Sequence, residues 1–180
     1  MPARPHKDTG LISFVPLATI DPPAIELLLD RAFGADRHGR TAYRVRDGMR
    51  AITGLSFAAL EDGVLVGTIQ CWPVRFAGAD GRDVPLAMVG PVAVEPARQR
   101  DGIGRWLMEH ALAAADASGE ARALMLIGDP EYYGRWFGFT PERTAGWQVP
   151  GPVERHRLLA RGADVPEGVG AIGPREKAVA

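Results

Sequence analysis

Gln99-Arg100-Asp101-Gly102-Ile103-Gly104 concentrates the chain's capacity for chemistry at one turn. Before it runs the apolar, β-branched stretch Met88 to Val94, and after it a stretch from Arg105 to Ala117 with no helix-stopping residue. A strand that turns through glycines into a helix aims several backbone N–H groups at one point. Gly102 and Gly104 lack the Cβ atoms that would hold a phosphate away, and the helix N-terminus adds about half a positive charge. The ligand predicted by this pattern carries a pyrophosphate.

Two common glycine-rich phosphate motifs do not fit. A P-loop needs Lys-Ser or Lys-Thr after its second glycine, and here Arg105-Trp106 follows. The dinucleotide fingerprint needs a third small residue, and Leu107 stands there. The spacing of Gln99, Gly102 and Gly104 instead resembles motif A of the GNAT superfamily of N-acetyltransferases. The flanks resemble it too: Val92-Ala93-Val94-Glu95-Pro96 is similar to the family's fourth strand and exit, and Leu124 to Ile127 to its fifth strand. Glu131 to Phe139, ending in Gly138-Phe139, is similar to its short fourth helix. Gly128-Asp129-Pro130-Glu131-Tyr132-Tyr133 further resembles a bacterial subgroup of predicted acetyltransferases with a Gly-Asp-Pro-x-Tyr-Tyr motif.

This resemblance implies an α/β (α+β) GNAT fold: a mixed, mostly antiparallel twisted sheet of six to seven strands with helices on both faces and the fourth and fifth strands splayed. It implies acetyl-coenzyme A as cosubstrate and no metal, with Val92, Ala93 and Val94 along the pantetheine arm. Gln99, Arg100, Asp101, Gly102, Ile103, Gly104 and Arg105 would lie around the pyrophosphate. Arg98, Arg100 and Arg105 are candidates for the ribose phosphate. The implied activity is acetyl transfer to a primary amine, of a small molecule or a peptide, by direct attack in a ternary complex. The alternative is a catalytically silent acyl-coenzyme A sensor or interaction module.

Many family members use a tyrosine as the acid for the departing thiolate, four positions before the Gly of Gly-Phe. That position here is Gly134, so Tyr133 and Tyr132 compete, with Tyr133 preferred. For the base, Glu26, Asp30, Glu61, Glu131 and His110 are available, and none is singled out. The expected acceptor pocket is lined by Phe33 to Met49 and the last two strands, with Trp147 and His156. Trp72 and Trp147 are candidates for an aromatic wall facing a cation.

These residues need a framework. At 180 residues the chain suffices for one domain. Residues 10–160 read as that domain, residues 1–9 as a flexible tail and residues 161–180, rich in glycine, proline and charge without periodicity, as a mobile one. Expected strands cover Leu11 to Leu17, Leu55 to Leu60, Val64 to Val74, Val84 to Val94, Leu124 to Ile127, Phe139 to Val149 and Val153 to Leu159. Helices are expected from Asp21-Pro22-Pro23 to Phe33, near Tyr43 to Met49, and from the glycine turn to Ser118-Gly119. Glu61-Asp62-Gly63 reads as a hairpin turn, and Gly90-Pro91 as an irregularity in the fourth strand. The net charge of −1 and pI near 6.4 give no general attraction to nucleic acid or an anionic membrane. With no long apolar span or leader-like segment, a cytoplasmic location is expected. A homodimer is compatible with the sequence but not specified by it. Cys71, the single cysteine, shares a strand face with Ile69 and reads as a core thiol.

Overall fold

The computed structural model describes residues 10–175; the expected tail at 1–9 lies outside them. The chain opens with β1 (Ile12–Pro16) and α1 (Pro22–Phe33), then α2 (Thr41–Val45). A meander follows: β2 (Phe57–Glu61), β3 (Val64–Gly78) and β4 (Asp83–Val94). Next come α3 (Ile103–Ser118), β5 (Leu124–Ile127), α4 (Pro130–Phe137), β6 (Trp147–Gln148), β7 (Leu158–Arg161) and β8 (Gly170–Pro174). The eight strands form one sheet in the order β1-β2-β3-β4-β5-β7, and β8 joins the far half of β3 and carries β6. Only the β4–β5 and β6–β8 pairs are parallel.

Local chemistry explains most boundaries. Pro22 and Pro23 open α1, where a missing N–H costs nothing, although the Asp21 side chain makes no capping bond. Asp62 and Gly63 adopt φ of 48° and 81°, the left-handed pair a two-residue hairpin requires. Alternation along each strand then sends side chains to two helix layers. Ala58 and Ala93 face α1 with Leu28 and Leu29, whereas Ala59, Val66, Leu124 and Leu126 face α3 through Ile103, Leu107, Met108 and Ala111.

The C-terminal segment departs from expectation. Residues 170–174 form β8 rather than a mobile tail, and Ile172, 3% exposed, enters a core with Phe76, Trp147 and Leu158. Their order comes from pairing with β3, which local composition does not encode. The sheet therefore has eight strands instead of six to seven. The strand expected over Phe139 to Val149 shrinks to a bridge at Thr140 and the two residues of β6. The strand expected over Val153 to Leu159 is β7, which begins at Leu158.

Candidate functional site

Strands β4 and β5 pair only at Ala87↔Leu124 and Met88↔Met125, and beyond those positions they part. A bulge in β4 causes the divergence. Along β3 the step from Ile69 to Cys71 spans two residues, but the facing step from Val92 to Val89 spans three, so Gly90-Pro91 carries the extra one. Gly90 has φ of +113°, a conformation available to few other residues. The expected irregularity thus lies where the sequence puts it.

The ladder also fixes which way the backbone of β4 faces. Glu95 N–H donates to the Val66 carbonyl, making 66/95 a hydrogen-bonded pair. By antiparallel alternation 68/93 is hydrogen-bonded as well, while 67/94 and 69/92 are not. The N–H and C=O groups of Val92 and Val94 therefore point away from β3, towards the gap left by β5. Those of Ala93 are used within the sheet, and its side chain is fully buried under α1. Of the three expected pantetheine contacts, only Val92 and Val94 present groups to the opening.

The glycine turn has the expected form. Gly102 is the N-cap of α3 at φ +88°, and the first bond of the helix is Trp106 N–H to the Gly102 carbonyl at 3.1 Å. No acceptor among the described residues takes the N–H groups of Gly102, Ile103, Gly104 or Arg105. They converge on a groove of about 510 Å³ bordered by Val92, Val94, Gln99, Gly104, Tyr133 and Trp136. Arg100 and Arg105 also border it, with Arg105 lying over the Trp136 ring and paired to Glu109. One expected contact is diverted. Asp101 does not line the groove but pairs with Arg98, which also pairs with Glu61 and so ties this turn to the β2–β3 hairpin. Ile103 borders the groove with its backbone while its side chain is in the core.

Through the gap, a second cavity of about 910 Å³ opens between the α1–α2 segment, the bulge of β4, the end of β5 and residues 152–157. Three residues border both spaces: Phe33, Val92 and Tyr133. Tyr132 borders the groove alone. The two tyrosines differ because they sit at successive positions of α4, about 100° apart around its axis. Asp129 caps that helix by accepting the Glu131 N–H at 3.0 Å. Tyr133 packs edge-on against Tyr132 and Phe139, and burial pushes its phenol up to about 12, so it holds its proton throughout the neutral range. Its ring rests on Gly128: a Cβ there would meet Tyr133 Cε2 at 2.5 Å.

A family model described as "Acetyltransferase (GNAT) family" matches residues 23–139. The chain belongs to the GNAT acetyltransferase family. It is similar to the uncharacterized N-acetyltransferase YhbS of Escherichia coli K12, with 32% identity over 120 residues, 67% of this chain and 68% of that protein. An uncharacterized N-acetyltransferase of Streptomyces griseus is 31% identical over 155 residues, covering 86% of this chain and 33% of that one. Among solved structures, a GNAT acetyltransferase of Brucella melitensis in complex with acetyl-CoA superimposes with a TM-score of 0.63 at 26% identity, covering 89% of this chain and 93% of that one. Escherichia coli YhbS in complex with CoA gives 0.67 at 24% identity, over 91% and 89% of the two chains, which shows shared fold.

Other sequence candidates in this GNAT chain fall elsewhere. Glu61 is held by Arg98, Glu26 and Asp30 are held by Arg37, and His110 stacks on Phe14 at 4.7 Å. Neither these nor Glu131 border the larger cavity, whose carboxylates are Asp129 and Glu154. Trp147 is fully buried, its indole N–H donating to the Pro166 carbonyl at 3.1 Å, and His156 is not on the cavity wall. Trp72 does face a cation, but the chain's own: the Arg46 guanidinium lies 3.8 Å from its ring centre. Cys71 is 2% exposed and burial pushes its thiol up to about 12, as befits a core residue. No group of three or more His, Cys, Asp or Glu that could hold a metal occurs among the described residues, and no described helix is long and apolar enough to cross a membrane.

Arg37, Arg40, Arg44 and Arg46 fall within the stretch Phe33 to Met49, and Glu154 and Arg157 within the segment 153–159, both expected to line the acceptor pocket, although none of these six was named there for its charge; Asp129 and Gly128 are wall residues outside the expected lining. The signal that could have found these two was the Gly-Asp-Pro motif, of which they are part.

Proposed function

We propose that this chain transfers the acetyl group of acetyl-coenzyme A to a primary amine by direct attack, with Tyr133 as general acid. Acetyl-coenzyme A supplies the electrophilic thioester carbon and a thiolate leaving group. The observation that carries the reading is the position of Tyr133, bordering both the glycine-turn groove and the larger cavity where β4 and β5 part.

The residues present fit that cosubstrate. The unpartnered N–H groups of Gly102 to Arg105 match a pyrophosphate, and the outward N–H and C=O groups of Val92 and Val94 match an amide-rich arm laid beside β4 as an added strand. With the cofactor so placed, the amine enters from the larger cavity. Its nitrogen lone pair forms the new C–N bond, the C–S bond breaks, and the Tyr133 O–H gives its proton to the sulfur. The proton lost by the nitrogen passes to solvent, from which Tyr133 is reprotonated.

The test is release of the free thiol from acetyl-coenzyme A across a panel of amines, for the natural chain and for Tyr133→Phe. We expect the variant to turn over at least about tenfold more slowly, with acetyl-coenzyme A affinity unchanged. Full activity in Tyr133→Phe removes the assigned acid. Tight binding with no release over the whole panel assigns the chain to the silent acyl-coenzyme A module instead.

A further inference from the structure

The larger cavity has a marked charge bias for a chain of net charge −1. Five arginines border it, against Asp129 and Glu154. Arg37 is held by Glu26 and Asp30 from α1, so its charge is already met. Arg40, Arg44, Arg46 and Arg157 form no ion pair among the described residues.

Arg46 is the unusual member. It is 6% exposed, and its Nε is buried without a hydrogen-bond partner among the described residues. The guanidinium lies 3.8 Å from the Trp72 ring centre and 4.1 Å from that of Tyr43. Trp72 is itself fixed by its indole N–H, which donates to the carbonyl of Gly90 in the β4 bulge at 2.8 Å. The Tyr43 hydroxyl accepts from Arg37. Burial lowers the pKa of Arg46 to about 10, which leaves it charged at neutral pH. Glu26 adds only a charge interaction short of an ion pair, and a buried charge with no ion-pair partner in contact is costly unless something completes it. Aromatic rings occupy its faces, so its N–H groups remain in the guanidinium plane, in the fork geometry that fits a carboxylate or a phosphate.

We propose that the acetyl acceptor is a small amine that also bears a carboxylate or phosphate, and that Arg46 binds this anion inside the cavity while Arg40 and Arg157 attract it from the rim. The proposal rests on the acetyl-transfer reading above. Arg46 then acts on specificity: it holds the anionic end of the acceptor on the bulge side of the cavity and leaves the amine to reach the gap bordered by Val92 and Tyr133. Arg157 lowers the Tyr133 pKa from a neighbouring position, so the basic wall extends to the reacting end.

The experiment compares charge twins as acceptors in the thiol-release assay: alanine against alaninamide for the carboxylate arm, and phosphoethanolamine against ethanolamine for the phosphate arm. We expect the anionic twin to have at least a tenfold higher kcat/KM in one arm, and that arm names the anion. In Arg46→Gln the ratio between twins falls towards one, acetyl-coenzyme A affinity by calorimetry stays as in the natural chain, and Arg46→Lys recovers part of the ratio. Should Arg46→Gln fail to fold, the twin comparison on the natural chain and Arg40→Gln, at an exposed position, still decide. Transfer that is equal for both twins, or faster for the neutral one in both arms, overturns this inference and leaves the transfer reading standing. A ratio that survives Arg46→Gln overturns the assignment to Arg46. Coenzyme A binding without transfer to any acceptor overturns both readings together.

Discussion

Gly104→Val separates cofactor binding from folding and needs no knowledge of the acceptor. A Cβ added at Gly104 meets Val94 Cγ2 at 3.6 Å and Val92 Cγ1 at 3.7 Å, ordinary van der Waals separations, so the fold accommodates the substitution. Helix propensity favours valine over glycine by a few tenths of a kcal/mol, so stability changes by less than about 0.5 kcal/mol. Binding behaves differently. Val92 and Val94 border the groove, and a branched side chain between them and the turn stands where a phosphate must approach the N–H groups of the first turn. Losing two charge-assisted hydrogen bonds at about 1.5 kcal/mol each, the low end of their range, removes about 3 kcal/mol. At 1.4 kcal/mol per factor of ten this is roughly a hundredfold loss of affinity. Calorimetric titration with coenzyme A reads the affinity, and a circular dichroism melt reads the fold. An affinity within about threefold of the natural chain refutes the phosphate cradle. So does a loss of affinity accompanied by a fall in melting temperature above about 5 °C, because the glycine would then serve the fold.

Two further substitutions test the rest of the framework. Gly128→Ala brings a Cβ to 2.5 Å from Tyr133 Cε2, so the ring must move by about 1 Å to reach ordinary contact. A displacement of that size costs about a hundredfold in turnover, visible as slower thiol release with coenzyme A affinity retained, and undiminished turnover would show that the ring position is not critical. Ile172→Ala in β8 empties a site among Phe76, Trp147 and Leu158 and should cost about 2–5 kcal/mol in urea denaturation. A cost below about 0.5 kcal/mol would return this segment to the mobile tail that composition implies.

What the sequence by itself determined is what neighbours along the chain enforce. The glycine turn, the α1 start at Pro22-Pro23, the Asp62-Gly63 hairpin and the bulge at Gly90-Pro91 each depend on a few adjacent residues whose backbone preferences leave little choice. The family and the cofactor groove follow from that local order, and so does Tyr133 as a candidate acid on α4. Tertiary structure decided the rest. Gly170–Pro174 becomes a strand because β3 outlasts β2, whose pairing ends at Ile69, and β8 takes the edge of Val74 to Gly78 beyond it, a fact recorded about a hundred positions earlier in the chain. The side chains of Asp101 and Glu61 are both held by Arg98, which links the glycine turn to the β2–β3 hairpin. Trp147 becomes core when β8 covers it. Arg46 looks in sequence like any basic residue after a short helix. Only the approach of β3 and the bulge of β4 buries it against Trp72 with no ion-pair partner among the described residues. Burial and the neighbours of a charge are sums over distant segments, and no spacing rule along one segment contains them.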